Sequence, residues 1–230
     1  MRYPGGKGKC FQHLINLMPK HEVYIESHLG GGAVMRNKRP AKRSVGIDLD
    51  PATLQRWNGI HIPNMELVNE DALTYLNRFS LAGTELIYVD PPYLPKTRRR
   101  ERVYRFDYSI NDHVALLDLL RTLPCAVMVS GYENELYNDM LSGWRRVTFN
   151  AKTHVEVRQE SVWMNYAEPA VLHDARYLGT NFRERQQIQR RQATIRRRVQ
   201  EMPTVERSEF MRWMNENFGS AEEGLCSVHG

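Results

Sequence analysis

The sequence predicts an α/β fold, a mostly parallel sheet of about seven strands flanked by helices and closed by a C-terminal antiparallel hairpin, with a helical appendage after it. Three observations carry this expectation. From Glu22 to Tyr166 short β-rich runs alternate with amphipathic stretches, as a sheet wound with crossover helices requires. The last two strand runs follow one another with no convincing helix between them, which suits an antiparallel pair. After Glu168-Pro169 the strand signals stop and only helical spacing remains.

Taken in order, the strand runs are 23–26, 44–47, 66–68, 86–89 and 126–130, mostly rich in Val, Ile, Leu or Tyr. Helices are expected between them over 33–38, 51–57, 72–79, 112–123 and 133–141, with Pro51 suited to a first helical turn. Runs 144–149 and 161–166 form the closing hairpin. Over 183–202 Ile188, Ile195, Val199 and Met202 share one helical face on an Arg and Gln background. Pro203 stops that helix and Thr204 is expected to cap the next, over 205–218, where Met211, Met214 and Phe218 recur at helical spacing. Met211, Trp213 and Met214 read most simply as core. The expected organisation is an α/β domain over 1–168, a basic helical hairpin over 169–218 and a disordered tail over 219–230.

Composition narrows the class. With 41% hydrophobic and 26% charged residues in 230, the chain is neither fibrous nor largely disordered. Its net charge of +5 is unevenly spread. Lys96 to Arg105 holds six basic residues and one acid, and Arg183 to Glu201 holds seven Arg and two Glu, so the remainder is acidic. Two concentrated basic segments on an acidic body suit a polyanionic partner. Cys10, Cys125 and Cys226 are odd in number and widely spaced, which supports neither a disulfide framework nor a zinc site, and no motif implies a metal. His13, His21, His61, His113 and His154 lack ligand spacing and read as surface residues. No apolar run has signal-peptide or membrane-spanning character, so a cytoplasmic, membrane-free protein is expected, with a monomer favoured.

The chemistry begins where the first strand meets His28-Leu29-Gly30-Gly31-Gly32 and the second ends at Asp48, 18 residues after Gly30. Glycines let the backbone approach a ligand, and an acid ending the next strand can accept hydrogen bonds from ribose hydroxyls. Taken alone, the Gly run fits a simple turn equally well. Asp90-Pro91-Pro92-Tyr93 shifts the balance, being a tetrapeptide expected by chance on the order of once in a thousand chains of this length. It follows the fourth strand, at the carboxyl edge of the sheet where such folds bind ligands.

Tyr3-Pro4-Gly5-Gly6-Lys7, Glu26 with Gly30-Gly31-Gly32, Asp48, Asp71 and Asp90-Pro91-Pro92-Tyr93, in that order, resemble the Dam-like family of S-adenosylmethionine-dependent DNA adenine N6-methyltransferases, in its compact phage and prophage form. The resemblance spans roughly residues 1–166 and implies a Rossmann-like methyltransferase fold, S-adenosylmethionine as cofactor and double-stranded DNA as partner. By that resemblance Tyr3 and Lys7 contact the cofactor, Gly30, Gly31 and Gly32 pass under its methionine portion, Asp48 binds the ribose and Asp71 the adenine amine. Glu26 and His28 belong to the same cofactor site. Asp90, Pro91, Pro92 and Tyr93 hold the target base. An aromatic amine is a poor nucleophile, so the Asp90 carboxylate and the Pro91 carbonyl are expected to accept its two N–H bonds and aim its lone pair at the methyl group. The base must leave the duplex stack to arrive there, and Tyr93 offers a face to stack on.

Two departures from the family pattern stand out. Glu26-Ser27-His28 replaces the usual Glu-Pro-Phe, and a His that gains a proton between pH 8 and pH 6 would weaken binding of a cationic cofactor in that window. Only residues 72–89 separate Asp71 from the catalytic motif, too few for an inserted target-recognition domain. The candidate substitute is the basic loop over 94–111, where Lys96, Arg98, Arg99, Arg100, Arg102 and Arg105 are interleaved with Tyr104, Phe106 and Tyr108. Short or relaxed specificity is expected from it. The Arg-rich helix after Arg183 either crosses the duplex backbone or packs its apolar side against a neighbour. Methylation of RNA or of another exocyclic amine, and a catalytically decayed DNA-binding protein, are the alternative functions.

Overall fold

The computed structural model describes residues 6–94, 106–152 and 157–219. A short helix α1 (Phe11–Ile15) precedes the sheet and was not signalled by periodicity, because five residues make little more than one turn. Then β1 (Val23–Glu26), α2 (Ala33–Asn37), β2 (Arg43–Asp48), α3 (Pro51–Gln55), β3 (Met65–Asn69), α4 (Ala72–Arg78) and β4 (Glu85–Val89) alternate. They are followed by α5 (Ile110–Thr122), β5 (Ala126–Gly131), α6 (Glu135–Met140), β6 (Arg145–Lys152) and β7 (Val157–Met164). A 3-10 turn (Ala175–Tyr177) leads to α7 (Phe182–Glu201) and α8 (Thr204–Phe218).

Seven strands form one sheet in the order β3-β2-β1-β4-β5-β7-β6. The first five are parallel, and β7 inserts antiparallel between β5 and β6. This is the Rossmann-like α/β sheet with a closing hairpin that the sequence predicts. Chain order reverses between β1 and β4, so a crevice opens at the carboxyl ends of those two strands.

Side chains alternate across the sheet and build two cores. Ile25, Ile87, Val89, Val127, Val129 and Trp163 pack with Leu116, Leu117 and Leu120 of α5 on one face. Tyr24, Leu86, Tyr88, Met128, Val162 and Met164 pack with α1 and α2 on the other. Helix starts are capped as their sequences dictate. Asp50 accepts from Ala52 N, Asn134 from Tyr137 N and Asn181 from Glu184 N. Helix α5 starts two residues earlier than expected because Ser109 and Asp112 form a reciprocal capping box, a signal present in the sequence. Thr204 is the first residue of α8 rather than its cap, and no side chain caps that helix.

Two expectations need correction. His21 and His113 are buried rather than on the surface, the first stacked on His173 at 3.8 Å and the second bonded to the Tyr137 hydroxyl at 2.9 Å. His13 is half-buried against Phe149, whereas His154 lies outside the described residues. Met211, Trp213 and Met214 are exposed and not core; α7 and α8 contain no buried residue at all. Helical spacing identifies a face but not what covers it. Cys10 and Cys125 are free and buried. Among the described residues no helix is long and apolar enough to cross a membrane, and no His, Cys, Asp and Glu group has a metal-binding arrangement.

Candidate active site

Parallel strands end together, so the polar residues closing β1, β2 and β4 meet at one edge of the sheet. A cleft there takes in about 850 Å³ of space, part of it open solvent. Lys7, Glu26, His28, Gly30, Gly31, Gly32, Asp48, Asp71, Asp90 and Pro92 all line it, together with Phe106 and Tyr108. These residues span more than eighty positions of sequence, and the fold brings them together. Tyr3 lies outside the described residues, as do Lys96, Arg98, Arg99, Arg100, Arg102 and Arg105.

The Gly loop is held by three devices. Gly30 and Gly32 adopt left-handed φ of 48° and 52°, a conformation costly for residues with a Cβ. The Trp57 ring lies beneath the loop, its Nε1 donating to the Gly30 carbonyl at 3.1 Å, and a Cβ on Gly32 would come within 2.1 Å of that ring. Asp48 accepts from Gly30 N at 2.8 Å through one oxygen and from Asp50 N at 2.9 Å through the other. Its carboxylate therefore shapes the loop as well as facing the cleft, and burial raises its pKa. Asp71 caps α4 through Oδ1, accepting from Thr74 N at 3.0 Å, while lining the cleft.

Glu26 is buried at the end of β1, where Oε2 accepts from the Tyr24 hydroxyl at 3.1 Å and from Met35 N at 3.0 Å. Burial pushes its carboxyl up to about 8. His28 has both ring nitrogens engaged, Nδ1 with Ser27 Oγ at 2.9 Å and Nε2 with the Tyr108 hydroxyl at 3.0 Å. Burial pushes its pKa down to about 3, so the imidazole is neutral throughout the physiological range. This overturns the expectation that His28 gains a proton between pH 8 and pH 6. Among the described cleft residues, Glu26 has its carboxyl pushed up toward that region by burial.

Asp90 directly follows β4. Pairing of Val89 with Val129 places it beside Ser130, whose hydroxyl donates to Asp90 Oδ1 at 2.9 Å. Tyr88 lies 3.0 Å behind that serine. Lys7 Nζ donates to both Asp90 oxygens, at 2.6 and 2.7 Å, and to the Tyr93 hydroxyl at 2.6 Å. Tyr93 donates in turn to Glu160 of β7, whose Oε1 also lies 3.3 Å from Lys7 Nζ. Burial opposes the charge on Lys7, but the Asp90 and Glu160 carboxylates outweigh it and hold its pKa above the usual value. Tyr93 is buried, with its ring edge-on to Tyr132 at 4.6 Å between centroids.

Sequence reasoning did not find Ser130, Glu160 or Tyr132. Ser130 was the most accessible of these, since it ends the strand beside β4. Glu160 needs the register of β7, which nothing local to residues 157–164 specifies.

No protein-family model matches the chain, and no curated protein matches it. Similar solved structures include a protein from Streptococcus mutans assigned to the methyltransferases and crystallised with SAH (13% identity, 67% of this chain and 93% of that one, TM-score 0.45). An rRNA methylase from Streptococcus thermophilus is 12% identical over 71% of this chain and 97% of its own, with a TM-score of 0.44. The N-methyltransferase NodS from Bradyrhizobium japonicum is 14% identical over 69% and 92%, with a TM-score of 0.47.

Proposed function

We propose that this protein is an S-adenosylmethionine-dependent methyltransferase acting on the N6 amine of adenine in DNA. The observation that carries the reading is a single cleft at the sheet's reversal point, which joins a left-handed Gly loop and three strand-edge carboxylates to Asp90 of the Asp-Pro-Pro-Tyr turn. The residues fit such a cofactor. Gly30 and Gly32 leave the loop without side chains where a ligand would pass, and Glu26, Asp48 and Asp71 present acceptors for its cationic, ribose and amine groups. A neutral His28 adds no opposing charge. When bound, the cofactor supplies a methyl group already activated on a sulfonium.

The chain's own work falls on the amine. Asp90 and the Pro91 carbonyl accept its N–H bonds and turn the nitrogen lone pair toward the methyl group. As the nitrogen gains the methyl it loses one proton, and Asp90 is the carboxylate placed to take it. Ser130 fixes the direction of that carboxylate. Tyr93 is buried, so the aromatic surface for a base flipped out of the duplex falls to the half-buried Tyr132 that lies edge-on to it.

Substrate capture is assigned to the basic segments. On α7, Arg183, Arg190 and Arg197 recur every seven residues, with Arg191 and Arg198 adjoining them, so five guanidinium groups share one face over about 22 Å of helix. Ile188, Ile195 and Val199 fall on a neighbouring face. Of the five, Arg197 alone has an acidic partner among the described residues, Glu201 at 4.0 Å. Such a stripe suits a row of phosphates.

The test is to incubate the protein with S-adenosylmethionine and unmethylated duplex DNA and to identify the product nucleoside by mass spectrometry. N6-methyladenine is expected. A methylated cytosine or guanine, or product on RNA alone, would reassign the substrate, and no product on either would favour a binding protein. Asp90→Ala is expected to lower transfer by about a thousandfold or more while DNA affinity stays within about threefold.

A further inference from the structure

Two buried carboxylates, Asp90 and Glu160, share one buried ammonium, Lys7. The four residues Glu26, Asp90, Ser130 and Glu160 come from four adjacent strands or their ends, and their even spacing from Tyr24, Tyr88, Met128 and Val162 puts them on the same face of the sheet. Asp90 is the group that must accept a proton of the target amine in the reading above, yet Lys7 caps both its oxygens at 2.6 and 2.7 Å and Ser130 takes a further site on Oδ1. A carboxylate covered by an ammonium is a poor acceptor for a third partner. Lys7 cannot simply withdraw, because an unpaired ammonium in a buried site is costly.

Glu160 supplies the alternative. Its Oε1 is 3.3 Å from Lys7 Nζ, less than an ångström farther than Asp90, and Tyr93 bridges the two, accepting from Lys7 and donating to Glu160. Its side chain is 5% exposed, so burial opposes its ionisation while Lys7 supports it. We infer that Glu160 is a positioning residue, the second counter-ion onto which Lys7 shifts when the target amine enters, freeing an acceptor site on Asp90 without leaving a buried charge unpaired. This rests on the methyl-transfer reading. The role is electrostatic: the bond to Tyr93 needs only an acceptor, whereas holding Lys7 needs a charge.

Glu160→Gln separates the two, since its amide oxygen still accepts from Tyr93 but carries no charge. Methyl transfer to DNA, cofactor affinity by calorimetry and the Lys7 Nζ resonance of ¹⁵N-lysine-labelled protein without cofactor are measured for this variant, for Glu160→Asp and for the unsubstituted protein. For Glu160→Gln, kcat is expected to fall about tenfold to a hundredfold with cofactor Kd within about twofold, and the Lys7 resonance to move. Glu160→Asp, which restores the charge at shorter reach, is expected to recover part of the loss. An unchanged kcat in Glu160→Gln, an unchanged Lys7 resonance, or a loss confined to cofactor affinity and thermal stability overturns the role of Glu160. If the unsubstituted protein transfers no methyl group, the methylation reading itself falls, and this inference with it.

Discussion

Glu26 sits where its protonation state matters to a cationic ligand. Its carboxyl is pushed up to about 8 by burial, and it lines the cleft. A bound cation favours the ionised form, so cofactor affinity is expected to rise as pH increases from about 7 to about 9. Glu26→Gln, which mimics the protonated state, is expected to bind more weakly and without that slope; calorimetry at the two pH values checks both, and an equal slope in the variant would refute the assignment. Gly32 makes a steric prediction instead. Gly32→Ala must place a Cβ within 2.1 Å of the Trp57 ring at a φ of 52°, and is expected to cost about 3 kcal/mol in denaturant unfolding. Much of this chemistry was legible in the sequence, because Asp48 closes a strand, Asp90 directly follows one and Gly30 to Gly32 lie in the turn after another, and local composition reveals all three strands. The neutrality of His28 was not, because it depends on Ser27 and Tyr108 closing around the ring, the second of them eighty residues away.

At the level of elements, strand identity and order of appearance followed from alternation and turn residues, and the hairpin of β6 and β7 from the lack of a helix between its halves. Strand position did not. That β7 lies between β5 and β6, carrying Glu160 to the Asp90 edge, is set by burial of Val162, Trp163 and Met164 on both faces of a completed sheet. The helices α7 and α8 show the opposite limit. Their spacing is read correctly from sequence, but Ile195, Met211, Trp213 and Phe218 remain exposed. If the arginine face of α7 follows a phosphate row, replacing Arg183, Arg190, Arg191, Arg197 and Arg198 together by Gln removes up to about five phosphate contacts. The slope of log affinity for duplex DNA against log salt is then expected to flatten by up to about 4.5 units, whereas transfer to a saturating short duplex is largely retained. An unchanged slope would leave α7 without a role in DNA binding.

On the scale of the whole molecule, the segment between the sheet and α7 straps the chain back onto its beginning. Leu172 bridges to Pro19, His173 N donates to Met18 O, Asn16 donates to Tyr177 O, and Arg176 and Tyr177 both donate to Asn37 O. No local pattern announces such a strap, since its bonds run mostly to backbone groups more than a hundred residues away. At its centre His21 and His173 are stacked, His21 Nδ1 against Pro19 O at 2.8 Å and His173 Nε2 against Arg39 O at 3.0 Å. Burial, with Lys38 close by, lowers the pKa of both below the usual histidine value. The unfolded chain therefore binds more protons than the folded one once pH falls below about 6.5, so the stability held by this pair is complete above that value and is lost on acidification. Glu26 works in the other sense, because its raised carboxyl favours the folded state more at acid pH. Comparing a variant with the parent at each pH cancels the contribution of Glu26. His173→Phe keeps a ring to stack on His21 but cannot gain a proton. Thermal unfolding is expected to show a smaller drop in Tm between about pH 7.5 and pH 5.5 in His173→Phe than in the parent, even if the variant starts lower because Arg39 O keeps only the Lys38 Nζ bond. An equal drop in the two proteins would place the acid-sensitive step elsewhere in the fold.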